Sequence, residues 1–233
     1  MLWMFLSCML SFQEEDNLKT ISIEQTQAVH HFNYNKPLKS SVRLAMVNDN
    51  KLEIGHASGN YFKVGGHHFI LTAAHAVGDG EFMVYVEDGA AMIPIEVVHY
   101  DEEKDLAIVV PTFKLFTKKP VDYRINNKSD IRGETVVHAG YPADFELSVF
   151  NGTVSICYES NFMMQSFALP GSSGSVVFDN NGRVVGVLSA LKMGYYGHSP
   201  FPQLHPTMVY VTRTRELSRK NIREMIVKWN SSK

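Results

Sequence analysis

The chain has 233 residues, is 45% hydrophobic and 20% charged, and carries a net charge of −2. This composition supplies a sizeable core and excludes a disordered chain. A charge this close to zero excludes a global field that recruits nucleic acid, and two cysteines, Cys8 and Cys157, exclude a disulfide-built scaffold.

Both cysteines are expected to be reduced, which favours a reducing intracellular or virus-associated setting. Residues 1–12 are apolar, lack a basic flank and run into Glu14, Glu15 and Asp16. They are too short to span a bilayer. They read as a segment that packs on the domain or on a partner, with a secretory signal as the alternative. Residues 22–32 read as a short helix with Ser22 as N-cap. Residues 1–39 therefore form an N-terminal extension.

From residue 40 the pattern changes to short apolar runs with a period of two. Residues 42–47, 56–64, 68–72, 82–87, 93–100 and 106–110 read as six strands, separated by Asn-, Asp- and Gly-rich turns. Six antiparallel strands suffice to close a small barrel, at about 40–112. Residues 111–128 are polar and strand-poor, a linker. A second set follows at 135–140, 147–158, 161–166, 174–178, 184–189 and 208–211, giving a second barrel at about 130–212. The fold class is all-β, two six-stranded antiparallel barrels with a C-terminal helix. That helix is expected over 214–230, with Ile222, Met225, Ile226 and Trp229 as one apolar stripe. Its other face carries Arg213, Arg215, Arg219, Lys220, Arg223 and Lys228, a solvated face or a docking surface for an acidic partner.

Three stretches carry chemistry. Phe69 to His75 is an apolar run ending in a histidine, and Asp105 opens another apolar run. Gly171-Ser172-Ser173-Gly174-Ser175 is a tight loop entering an Asn-Gly hairpin. A serine between glycines can present its hydroxyl and a row of backbone N–H groups to one point, as an acyl-transfer nucleophile requires. Taken singly, each stretch is as readily structural: a buried histidine, a strand-start aspartate, a turn. Ser172 and Ser175 compete with Ser173; Asp101, Glu102 and Glu103 compete with Asp105. The other nine histidines lack zinc-ligand spacing, so neither metal nor cofactor is expected.

Thr72-Ala73-Ala74-His75, Asp105-Leu106-Ala107 and Gly171-Ser172-Ser173-Gly174-Ser175 resemble the three signatures of the chymotrypsin-like (trypsin-like) serine peptidases. The bacterial and viral branch is the most similar, with its glutamyl endopeptidases and Deg-type (high-temperature-requirement) proteases. Gly140-Tyr141-Pro142 adds to the likeness, which covers residues 40–217. The resemblance implies a serine endopeptidase with a Ser173/His75/Asp105 triad, an acyl-enzyme intermediate and a polypeptide substrate. It implies an oxyanion hole of the Gly171 and Ser173 N–H groups. It places Ser189 on the strand that supports the aspartate, and Ser189, Ala190 and Leu191 along an extended substrate. Residues 166–170, 189–191 and 207–210 become the walls of the specificity pocket, with Ala168, Leu169 and Met208 inside it. No acid lies there to pair a basic side chain, and Leu188 stands where glutamyl endopeptidases have a histidine. Cleavage after an uncharged residue is expected, with His198 and His205 as the residues that could alter this. The chain departs from the family at Ser172, where many members have Asp or Asn, and at Ser175-Val176. The alternative function is a non-catalytic protein- or RNA-binding module on a protease fold. Nucleic-acid binding rests on the basic helix alone and is not expected.

Overall fold

The computed structural model describes residues 34–78, 82–194 and 203–233. The expected helix at 22–32 and the apolar segment 1–12 lie outside these residues. A short helix that the sequence pattern did not suggest, α1 (Asn35–Ser40), precedes the first barrel.

The first barrel comprises β1 (Ser41–Val47), β2 (Glu53–Val64), β3 (His67–Thr72), β4 (Met83–Asp88), β5 (Ala91–Asp101) and β6 (Leu106–Pro111). Its strand order is β1-β4-β5-β6-β3-β2, closed by the antiparallel β1–β2 pair. Closure leaves no apolar edge to aggregate. The linker contributes a two-residue strand, β7 (Val121–Asp122), parallel to β2. The second barrel comprises β8 (Thr135–Gly140), β9 (Ser148–Cys157), β10 (Asn161–Gln165), β11 (Val176–Asp179), β12 (Val184–Gly194) and β13 (Gln203–Arg213), closed in the order β10-β13-β12-β11-β8-β9.

Alternation along each strand decides which side chains enter a barrel. Phe62 and Phe69 fill the first, stacked at 5.7 Å between centroids. Tyr123 of the linker packs edge-on against both, and Phe178 of β11 meets Phe62 at 6.0 Å. The first core therefore continues through Val176, Phe178, Val184 and Val187 into the outer face of the second barrel. Val136, Val154, Phe162, Met164, Val177, Val185, Leu188, Val209 and Val211 fill the second interior.

The C-terminal helix α2 (Arg219–Ser231) begins five residues later than expected, because Ser218 supplies the N-cap and its hydroxyl accepts the Asn221 N–H. Ile222 and Ile226 are buried and Met225 and Trp229 half-buried, as the stripe requires. Arg213 does not belong to the basic face. It ends β13, is 6% exposed, and donates through Nη1 to the Ser129 and Tyr158 carbonyls. These carbonyls and that of Lys128 pair its two terminal nitrogens inside the fold, while its Nε is buried without a partner.

Phe62 is fully buried, whereas Phe113 in the linker is 66% exposed. Phe62→Ala is expected to lower the unfolding free energy by about 3–5 kcal/mol, and Phe113→Ala by less than about 0.5 kcal/mol. Urea denaturation of the two variants measures the contrast.

Candidate active site

β3 ends at Thr72, and a single 3-10 turn, Ala74–Ala76, carries His75 out of the first barrel. Ala74 and Ala76 are buried while the His75 side chain is 49% exposed. Asp105 lies in the turn before β6 with φ +51°, a conformation that aspartate tolerates better than most residues. The β3–β6 pairing brings the two turns together. His75 Nδ1 lies 2.9 Å from both carboxylate oxygens of Asp105, and Oδ1 also accepts the His75 backbone N–H at 3.0 Å. One carboxylate thus fixes ring and backbone together. Asp101 is occupied elsewhere: its Oδ1 accepts the Lys104 N–H at 2.9 Å.

The Gly171–Ser175 loop reaches the same place from the second barrel. The Ser58 N–H of β2 donates to the Ser173 carbonyl at 2.8 Å, and Gly174 N–H to the Leu188 carbonyl at 2.8 Å. Gly174 has φ +86°, and a Cβ there would collide with the Ser58 carbonyl and Thr72 Oγ1. Only glycine lets the loop press against the segment leading to His75. Burial separates the three serines. Ser172 is 1% exposed, its Oγ accepting the Leu169 N–H, and Ser175 is fully buried, whereas Ser173 is half-exposed.

Backbone hydrogen bonding separates the N–H groups too. Ser172 N–H donates to the Leu169 carbonyl at 2.9 Å, Ser175 N–H to the Ser172 carbonyl at 3.0 Å, and Gly174 N–H to Leu188 as above. Gly171 and Ser173 N–H have no backbone acceptor among the described residues. Gly171, with φ +92°, follows Pro170 in the Leu169–Ser172 turn. Proline then a positive-φ glycine at the two central positions is a type II turn.

The expected wall segments lie side by side. Ser166 N–H donates to the Thr207 carbonyl at 3.2 Å and Ala168 N–H to the Pro206 carbonyl at 2.9 Å. Ala190 and Leu191 pair with Tyr210 and Val209. Ala168 is fully buried; Leu169, Leu191, Met208 and His205 are half-buried and Ala190 exposed. His198 lies outside the described residues. Ser189 sits at a register shift in β12, and its Oγ donates to the Tyr210 carbonyl at 3.4 Å. Among the described residues it makes no hydrogen bond to Asp105.

One buried histidine beside the expected wall segment 166–170 was missed in the sequence. His138 of β8 is 1% exposed, its Nε2 is 3.1 Å from Ser166 Oγ, and its ring meets Phe150, which in turn meets Phe167. Burial pushes its pKa down to about 4, against a smaller opposing effect of the Phe167 carbonyl. The signal was the alternation Val136, His138, Gly140, which turns His138 toward the second barrel's interior. Among the described residues no three metal-ligating side chains cluster, and no helix is long and apolar enough to cross a membrane. Cys157 is a free thiol.

A family model described as trypsin-like peptidase domain matches residues 57–187, more than half of the chain. The chain belongs to the trypsin-like peptidase domain family. Among its relatives, a "Serine protease HtrA-like" protein of Staphylococcus epidermidis is 31% identical over 164 residues, 61% of this chain and 28% of the relative. A "Probable periplasmic serine endoprotease DegP-like" protein of Bartonella henselae is 28% identical over 167 residues, 67% of this chain and 31% of the relative. The chain thus spans under a third of either relative's length. The fold is shared with a serine endoprotease from Yersinia pestis, at a TM-score of 0.60 and 20% identity, covering 83% of this chain and 65% of that one. It is also shared with the active form of the Rv3671c protease from M. tuberculosis, at 0.60 and 19%, covering 78% and 82%.

The buried His138 makes the peptidase domain sensitive to acid. Its folded pKa lies below its ordinary value of 6.5, so the unfolded chain takes up the proton first as pH falls. The stabilisation is full above pH 6.5 and is lost as pH falls toward 4, by at most about 3 kcal/mol. His138→Gln should flatten that part of the stability-against-pH curve. Chemical denaturation at a series of pH values measures the difference.

Proposed function

We propose that the chain is a serine endopeptidase in which Ser173 is the nucleophile, His75 the general base and acid, and Asp105 the residue that orients the imidazole. The observation that carries this reading is the His75–Asp105 pair, set beside a loop whose one accessible serine is Ser173. Membership of the trypsin-like family supports the same roles.

Ser173 Oγ attacks the carbonyl carbon of the scissile bond while His75 Nε2 takes its proton. Asp105 holds Nδ1–H and stabilises the imidazolium. The tetrahedral oxyanion is received by the Gly171 and Ser173 N–H groups, each worth about 3 kcal/mol in the transition state. Collapse breaks the C–N bond, and His75 returns the proton to the leaving amine. Water, activated by the same imidazole, then hydrolyses the acyl-enzyme. The substrate is a polypeptide that lies extended along Ser189, Ala190 and Leu191 and pairs with them as an added strand. The basic exposed face of α2, with Arg219, Lys220, Arg223 and Lys228, is where an acidic partner would dock.

A fluorophosphonate should label Ser173 and neither Ser172 nor Ser175, as peptide mapping reads directly. Asp105→Asn should keep the fold and lower kcat by about 10⁴ through the wrong imidazole tautomer. Comparable activity in Ser173→Ala would end the assignment.

The pocket walls hold Ala168, Leu169, Leu191 and Met208, and His138 behind them is neutral at pH 7. Burying an unpaired charged side chain there costs several kcal/mol. A peptide-library profile should show cleavage after uncharged residues. Dominant cleavage after Arg or Lys would refute this pocket, and cleavage after Glu would implicate His205 or His198.

A further inference from the structure

We infer that Ser58, a residue of the first barrel, is the positioning residue that holds the oxyanion-binding turn of the second barrel in its working conformation. The inference rests on the peptidase reading above. Its polar atoms converge on one task. Ser58 is fully buried. Its N–H holds the Ser173 carbonyl at 2.8 Å. Its Oγ lies 2.8 Å from the Gly171 carbonyl and 2.9 Å from the Tyr141 backbone N. Its carbonyl accepts the Thr72 hydroxyl at 2.7 Å.

The direction of the hydroxyl proton follows from the partners. Tyr141 N–H can only donate, so Ser58 Oγ accepts there, and its single proton goes to the Gly171 carbonyl. The peptide after Gly171 is thereby pinned, and the Ser58 N–H pins the carbonyl of Ser173 two residues on. The peptide before Gly171 is pinned separately: Pro170 carbonyl accepts the Ala143 N–H at 2.6 Å. In a trans peptide the N–H points away from its carbonyl, so the Gly171 N–H faces away from Ala143. Ala143 makes this bond at φ +47°, an unfavourable conformation for a residue with a Cβ.

The pinning matters because the Pro170–Gly171 turn has a competitor. Glycine has free access to both signs of φ. Rotating one peptide converts the type II turn to type I and turns the Gly171 N–H away from the side it now faces. The four-residue turn is closed by one internal backbone bond, Ser172 N–H to the Leu169 carbonyl, and that bond is common to both turn types. It therefore selects neither. The peptide that flips is Pro170–Gly171, and the anchor that discriminates is the Ala143 N–H on the Pro170 carbonyl. Ser58 is the side chain that ties that anchor to the turn, through Tyr141 N–H on one side and the Gly171 carbonyl on the other. Ser58 does not reach the reacting atoms; it acts through the Gly171 carbonyl and the 141–143 segment. Because it also holds Tyr141, the same hydroxyl ties the 141–143 segment to the turn, so the Ala143 bond and the Ser58 bond reinforce each other.

The test measures steady-state kinetics of Ser58→Ala in the full chain on a fluorogenic peptide chosen from the library profile. Loss of one oxyanion donor lowers kcat by about 10²–10³, so losing the group that orients it should lower kcat by about 10–10², with KM within about twofold. Affinity for a peptide boronic acid, which presents a tetrahedral oxyanion, should fall in step with kcat. Affinity for the carboxylate product peptide should hold. The pH profile of kcat/KM should keep its shape, because the His75–Asp105 pair is untouched. Ser58→Cys, which fills the same space with a weaker donor, should fall between wild type and Ser58→Ala, and it decides the matter if Ser58→Ala does not fold. Wild-type kcat in the folded variants, beside an inactive Ser173→Ala, would overturn this inference alone. Equal losses for boronate and product peptide, or a shifted pH profile, would also overturn it, since they mark a general loosening of the site. Wild-type rates in Ser173→Ala would overturn the peptidase reading and this inference with it.

Discussion

The seam between the barrels depends on the rule that buried backbone polar groups must find partners. β2 runs along the seam with Ser58 and Asn60 fully buried. Asn60 donates to Ser40 Oγ at 2.8 Å and accepts the Val176 N–H at 2.9 Å, so one side chain joins α1, β2 and β11. Two residues away, the Ser58 N–H takes the Ser173 carbonyl. The loop between Pro170 and Val176 belongs to neither barrel's ladder. Several of its backbone groups are held by β2, by Leu188, by Ala143 and by its own turns. Sliding one barrel against the other would strand several of these groups in an apolar seam, at about 1–3 kcal/mol each. That penalty fixes where the loop stands relative to His75.

Solvent access then divides labour among like residues. Three consecutive-looking serines differ because the loop's path buries two and leaves Ser173 half-exposed. The histidines divide similarly. His75 is carried out on a 3-10 turn with a carboxylate on Nδ1, a geometry suited to moving a proton. His138 lies inside the second barrel, where burial keeps it neutral and Ser166 holds its Nε2. The same side chain is thus exposed and paired with a carboxylate in one setting, and buried and neutral in the other.

Strain follows the same division. Among the described residues, Lys51, Asp105 and Ala143 are the non-glycine positions with positive φ. Asp105 bonds the His75 imidazole, and Ala143 bonds the turn that holds Pro170 and Gly171. Asp105 holds both the ring and the backbone of His75, Ala143 holds the Pro170 carbonyl, and the adjoining ladders of β6 and β8 keep those conformations in place.

Sequence alone determined the two barrels, because a period of two between Gly- and Asn-rich turns is a local property that closure merely completes. It also determined the three chemical stretches, since a glycine-bracketed serine and a histidine ending an apolar run are local patterns. Other features needed the tertiary structure. α1 lacks an amphipathic stripe, and β7 is two residues long, so neither leaves a local signal. The helix start moved to Arg219, with Ser218 as N-cap, and β13 extends to Arg213, whose buried guanidinium finds carbonyls 55 to 85 residues away. Ser58, His138 and Ala143 looked ordinary in the chain. What each does depends on a partner from a distant segment, and no local pattern records which carbonyl a hydroxyl will meet across a seam.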